Sequence, residues 1–237
     1  CSSDLTVNEN SMHLPDLIRF LGELEENNNR AWFVMNKPRY DILRAELLAL
    51  VSGLISEIAR FDPGVAHCHP KKALFRVNRD LRFARGRPPY KTTFSAAITA
   101  SGLKKPSQGG GPAYYFHIDA QGQMLVAGGE YRPPPQRLRA IREHVVDDAA
   151  GFSRVLKDKK LIAVFNGLQV DDTLIRLPKG FDADAPHQSA LRLKSFVAWR
   201  ELSARKLRPA ALPGLLLEDF RAAAPLVKWL RAAGPTP

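Results

Sequence analysis

Apolar positions recur at helical spacing at both ends of the chain and alternate with polar ones in the middle. Leu14, Leu17, Ile18, Leu21 and Leu24 lie three or four residues apart. That spacing predicts an amphipathic helix with Pro15 near its start and a stop near Asn27-Asn28-Asn29. Tyr40, Leu43, Leu47, Leu50, Val51, Leu54 and Ile58 form a second stripe, predicting a longer helix from about Pro38 to Arg60, ended by Phe61-Asp62-Pro63-Gly64. Phe75, Val77, Arg79, Leu81 and Phe83 then share one parity, and Arg76, Asn78, Asp80 and Arg82 the other. A period of two predicts a strand from about Ala73. Thr92–Thr99 alternates weakly, and Ala113–Asp119 and Gln123–Gly129 read as a hairpin across Ala120-Gln121-Gly122.

Beyond Tyr131 the pattern returns to helices. Pro134–Val146 carries Leu138, Ile141 and Val145, Phe152–Phe165 reads as a broken helix pair, and His187–Lys194 as a short helix. A short strand is expected near Leu174–Leu177. Leu216, Phe220, Ala223, Val227 and Leu230 are in register over a last helix from about Leu215 to Ala233, which Pro225 should kink or restart. Strands grouped in the middle argue for α+β: an antiparallel sheet of about four or more strands packed against N-terminal and C-terminal helices.

Charge changes this picture at one place. Lys71–Lys91 holds eight basic residues, five of them Arg, against the single acid Asp80, in a chain of net charge +11. Arg suits planar two-point contacts with phosphate or carboxylate. Arg79 interrupts the apolar parity and is placed where a side chain can enter a cleft. Asp80, among arginines, is expected to stay ionised. Arg85-Gly86-Arg87-Pro88-Pro89 reads as a loop holding binding groups on a scaffold. The plainer reading is a solvated basic edge strand with Asp80 as a salt-bridge partner.

A length of 237 residues with 45% hydrophobic residues is compatible with one domain and a sizeable core. The basic balance favours anionic partners without choosing among them. Two cysteines make no disulfide framework. The most apolar segment, Leu43–Ala59, is broken by Arg44, Glu46 and Glu57, so no membrane span is expected. Residues 1–11 are expected to be an expression remnant or disordered leader ahead of a native start at Met12, with 12–237 a single α+β domain and a cytoplasmic location. A mature lipoprotein beginning at Cys1 is the rival reading.

The chemistry-bearing candidates are few. Tyr115 and His117 share a face of their strand and enter any cleft together. Glu130 closes the next strand after Gly128-Gly129, glycines that let a ligand or backbone come close. Asp80, His117 and Glu130 are the groups an acid–base mechanism would use. Facing arginines, Glu130 is expected below its ordinary pKa, which suits a base or an arginine clamp. The bland readings are a satisfied structural histidine and a salt-bridged glutamate. His67, Cys68 and His69 lack a further ligand nearby, so no metal is expected. No phosphate loop, dinucleotide fingerprint, nucleophile elbow or zincin motif is present, and no cofactor is expected. Arg30, beside three asparagines, is a further polar candidate.

The block FRVNRDLRFARGRPPYK resembles the signature of a bacterial and fungal family, the domain of unknown function 2461 family. Asn27–Phe33 with Tyr40, Ala113–Asp119, Gly128–Pro134, Leu177–Phe181, Leu191–Phe196 and Pro225–Leu230 resemble its other blocks in the same order. The resemblance spans roughly Leu14 to Leu230 and implies an intact single-domain α+β protein; it implies no activity. It departs at Asp184-Ala185-Pro186-His187, where the family tends to carry an Asp-His-Pro-like turn. Because Lys179 and Lys194 fall in resembling blocks, the resemblance adds them to the same cleft.

These residues lead to three expectations. The first is a pocket for a small anionic ligand, with or without catalysis: Arg76, Arg79, Arg82 and Lys91 hold phosphate or carboxylate, Tyr90, Tyr115 or Trp32 packs on the rest, and Asp80 or Glu130 moves protons. The second is nucleic-acid binding along the basic strand and loop. The third is a protein-interaction module whose basic edge meets an acidic partner. The sequence leaves the oligomeric state open.

Overall fold

A computed structural model describes residues 12–80, 86–100 and 110–234. Residues 1–11, expected as a remnant or leader, and Arg82 lie outside the described residues. Helices α1 (Leu14–Glu26), α2 (Arg30–Met35) and α3 (Lys37–Ala59) open the fold. Pro15 in the first turn of α1 gives up no intrahelical bond, and Asp16 there suits the positive end of the helix dipole. Asn29 caps α2 by accepting from the Trp32 amide at 3.0 Å. A one-turn helix α4 (Pro70–Ala73), capped by His69, precedes the sheet.

The sheet is antiparallel in the order β1 (Thr93–Thr99), β2 (Ala113–Asp119), β3 (Gln123–Glu130) and β4 (Phe196–Ser203). Its register pairs Asp119 against Thr93, Tyr115 against Ala127, and Ala127 against Trp199. Odd-numbered residues therefore share one face across all four strands and even-numbered residues the other. The even face carries Phe94, Ile98, Tyr114, Phe116, Met124, Val126 and Phe196, all buried. Between β3 and β4 run α5 (Pro135–Asp147), α6 (Ala149–Leu156), α7 (Lys159–Phe165) and α8 (Gln188–Leu191). Asp148 and Asp158 cap α6 and α7. Helix α9 (Leu212–Ala232) closes the chain against β3. A Cβ on Gly128 would collide with that of Ala223, so this glycine sets how closely α9 lies on the sheet. Buried apolar side chains from α1 to α9 form one cluster. No described helix is long and apolar enough to cross a membrane.

Three expectations on elements change. Over its described part, residues 73–80, the strand expected from about Ala73 is not a regular one. The segment meets β1 only at Leu74, opposite Ala96, and through Phe75, whose amide donates to Ser95. It then peels away and pairs with its own return: Lys91 N donates to Val77 O, Arg79 N to Pro89 O, and Asn78 bridges Tyr90. Near Leu174–Leu177 only an isolated bridge, Thr173 to Leu193, forms. The fourth strand is instead Phe196–Ser203, whose outer edge is met by Gln169 donating to Val197 O and Trp199 O. Helix α9 runs through Pro225 without restarting.

Two buried ion-pair clusters lock the even face. Tyr114 donates to Asp62 at 2.7 Å, and Arg231 grips the same carboxylate at 2.7 and 2.9 Å. Burial raises the Asp62 carboxyl, but the bonds from Arg231 and Tyr114 outweigh it and leave it below its ordinary value. Arg200 forms a similar two-point contact with the buried Asp219, at 2.9 and 2.7 Å.

Candidate functional site

The odd face of the sheet holds a cavity of about 650 Å³ lined by residues of β2, β3 and β4 and by Phe75. Its construction follows from alternation. The register aligns Tyr115, Ala127 and Trp199 in one row and His117, Leu125 and Glu201 in the next. In the first row a methyl group stands between two large rings, and a hollow is left above it. Phe75 extends the wall, its ring edge-on to Tyr115 at 6.0 Å. Tyr131 borders the cavity beyond Gly129.

Among these walls the polar side chains are Tyr115, His117, Tyr131, Glu201 and the Trp199 indole. Burial pushes the Tyr115 phenol above its ordinary value, with the Ser95 side chain pulling the other way. Burial pushes the His117 imidazole down, against the opposing pull of Asp119 and Glu201, so the ring is neutral at pH 7. Its Nδ1 is buried and has no hydrogen-bond partner among the described residues. A buried polar atom left unpaired is uncommon and calls for an explanation. Here it belongs to a side chain that lines a cavity.

The described arginines of the block, Arg76, Arg79 and Arg87, do not line this cavity. Arg76 is exposed. Arg79 is half-buried, but its Nε donates to Tyr90 O at 3.0 Å, closing the base of the hairpin. Tyr90 is buried and stacked on Phe33 at 4.1 Å, within an aromatic cluster that includes Tyr40 and Phe94. Trp32 packs on Phe20 in the same cluster. Asp80 is exposed and makes contacts of its own. Lys91 stands against the cavity wall, its Nζ 5.5 Å from the centre of the Phe75 ring. Arg30 and Lys179 are exposed, and neither lines the cavity.

Asn28 explains why the early asparagines and the arginine hairpin belong together. Its side-chain amide accepts from Tyr90 N at 3.0 Å and donates to Tyr90 O at 3.1 Å. This reproduces with a side chain the paired bonds a neighbouring strand would make.

Glu130 lies on the other face. Its side chain is 0% exposed, and Arg137 holds it through Nε at 3.1 Å to each oxygen and Nη2 at 2.9 Å. Arg137 also donates to Leu230 O, Ala233 O and Gly234 O. Arg137 thus bonds carbonyls at the end of α9, where intrahelical donors run out. The expected arginine clamp is present, but inside the core and away from the cavity. The expected fall in pKa does not occur: burial pushes the carboxyl up, and Arg137 only partly offsets it. The parity that joins Tyr115 to His117 excludes Glu130, because the three-residue turn Ala120–Gly122 pairs odd with odd. The Gly128-Gly129 pair makes room for backbone: a Cβ on Gly129 would run into the Phe196 carbonyl.

Sequence reasoning missed Trp199 and Glu201 because β4 was not foreseen. The signal was present in Phe196, Val197 and Trp199, residues that favour strands, with Val197, Trp199 and Glu201 on one parity. Among the described residues, no three His, Cys, Asp or Glu side chains are placed to hold a metal ion.

Residues 16–229 match the family described as "Conserved hypothetical protein (DUF2461)", and the chain belongs to that family. No curated protein and no solved structure matches it.

Proposed function

We propose that this member of the DUF2461 family binds a small organic ligand in the cavity on the odd face of its sheet, with a flat or compact group held between Tyr115 and Trp199. The observation that carries this reading is the row Tyr115–Ala127–Trp199. Two strand spacings separate the outer residues, about 10 Å. A flat group touching a ring on each side at about 3.5 Å fits that interval. Apolar walls with a few convergent polar groups are the usual composition of a ligand site. His117 supplies a neutral imidazole able to exchange a hydrogen bond with the ligand, which gives its buried Nδ1 a purpose.

For the anionic ligand expected from the arginines, Arg76 and Arg79 do not line this cavity, and Arg82 lies outside the described residues. Among the described residues, Lys91 against the lining ring of Phe75 is a basic group that an acidic ligand would use. Nucleic acid is the second reading, favoured by one observation: rings on the face of an antiparallel sheet are a platform for stacking bases. Glu201 within the lining opposes a phosphate backbone there.

A fragment panel of aromatic and alkylated compounds, followed by calorimetry and Trp fluorescence, tests the proposal. Ala127→Phe should abolish binding, because its ring fills the space between Tyr115 and Trp199 while leaving the even-face core untouched. Fragments that bind Ala127→Phe as well as the parent chain would sink the cavity reading. Oligonucleotide binding that weakens steeply with salt would move the assignment to nucleic acid.

A further inference from the structure

We propose that the group held between Tyr115 and Trp199 is an organic cation, such as a ring-bearing or alkylated ammonium, with Glu201 as its counter-charge. The inference rests on the cavity reading above and names the ligand's chemical class. Four of the described lining side chains are aromatic (Phe75, Tyr115, Tyr131 and Trp199), one is the carboxylate Glu201, and none is Lys or Arg. The faces of aromatic rings attract cations through their quadrupole, Trp most strongly, and cages of this composition suit ammonium groups.

The fold already shows two of these rings in contact with cations. Lys91 Nζ stands 5.5 Å from the centre of Phe75, and Arg132 Cζ 5.6 Å from that of Tyr131. Arg132 pairs with Asp172 at 2.9 Å, a carboxylate it shares with Lys194 at 2.7 Å. Tyr115 and Trp199, the pair that faces across Ala127, are the rings around which a ligand cation would sit.

Local charge on the β4 side of the cavity agrees, Lys91 lying instead against Phe75. Trp199 and Glu201 are two residues apart on β4 and share the odd face, which sets the carboxylate beside the indole. The charged groups that act on His117 are Asp119 and Glu201, both negative. His117 itself is neutral, so it does not repel a cation. The chain's net charge of +11 works against a cation at long range. At physiological ionic strength that field is screened beyond about 8 Å, whereas Glu201 lies within the lining.

Calorimetry of the full chain with three probes sharing one ring tests the class: benzyltrimethylammonium, benzyl alcohol and phenyl phosphate at equal ionic strength. The cation should bind about tenfold tighter than the alcohol, the size expected of a partly desolvated cation–ring contact. Glu201→Gln should collapse most of that ratio; Glu201 is exposed, so the fold is not at stake. If phenyl phosphate binds tightest and depends on Lys91, the ligand is anionic and this inference fails. The cavity reading survives that outcome provided Ala127→Phe still blocks the phosphate. A ratio unchanged by Glu201→Gln also overturns the inference. Failure of every probe to bind, whatever its charge, overturns the cavity reading itself.

Discussion

Replacing Glu130 by Ala should cost the protein stability and leave its ligand binding alone. The carboxylate receives three contacts from Arg137, at 3.1, 3.1 and 2.9 Å, and neither side chain is exposed. Removing it strands a guanidinium charge in the core, with only the Leu230, Ala233 and Gly234 carbonyls as partners. Breaking a buried pair from one side costs about 3–5 kcal/mol. Glu130→Gln keeps an acceptor but loses the charge, so it should cost less, about 1.5–3 kcal/mol. Arg137→Met in the Glu130→Gln background should cost less than the two single changes together, since both act on one contact. Urea unfolding followed by circular dichroism reads these values from the shift in midpoint at unchanged slope. A loss below about 1 kcal/mol for Glu130→Ala would refute the structural assignment, since the general cost of a stranded buried charge is several times that. Weakened probe binding in a fully folded Glu130→Ala protein would also refute it, by returning Glu130 to the ligand.

The other predictions concern the supports of the site. Asn28→Ala removes both bonds to Tyr90 and should destabilise the protein by roughly 1–3 kcal/mol, at about 0.5–1.5 kcal/mol for each bond. Hydrogen exchange should show the loss first at the amides of Tyr90, Arg79 and Lys91. Gly129→Ala must place a Cβ against the Phe196 carbonyl at a φ of 126°, and should cost at least about 2 kcal/mol by thermal unfolding. Asp62 has a folded pKa below its ordinary 3.8, so its pairing stabilises the protein above that value and is lost as pH falls through the lower folded value. Asp62→Asn should flatten the acid limb of the stability curve. His117 is neutral when folded. As pH falls below its ordinary 6.5 the unfolded chain takes up a proton first, and stability declines. His117→Gln should remove that decline in urea titrations between pH 6.5 and 5.

Much of the architecture was legible in local patterns. The stripes of α1 and α3 gave their bounds nearly to the residue, because Pro15, the asparagines and Asp62-Pro63-Gly64 mark the ends chemically. The hairpin of β2 and β3 followed from alternation around a Gly-containing turn. The arginine block misled in a specific way. Its period of two is real, but a strand needs a neighbour, and this segment leaves β1 after Phe75 to pair with itself. No local pattern reports where a partner strand lies. The site was half legible. Tyr115 and His117 on one face came from parity alone. Glu130 was misplaced for want of the register, which the turn length already fixed. Trp199 and Glu201 lay about eighty residues away in sequence, and only the completed sheet sets them beside Tyr115 and His117.

The central claim is that the odd face of the sheet is where this protein meets its ligand. Chemical-shift mapping with an isotope-labelled full chain and the best-binding fragment tests it most directly. The account predicts shifts concentrated at Tyr115, His117, Leu125, Ala127, Trp199 and Glu201, with His117 changing at its ring nitrogens. Shifts concentrated instead at Arg76, Arg79 and Arg87, with the odd face silent, would contradict it and restore the arginine hairpin as the binding site.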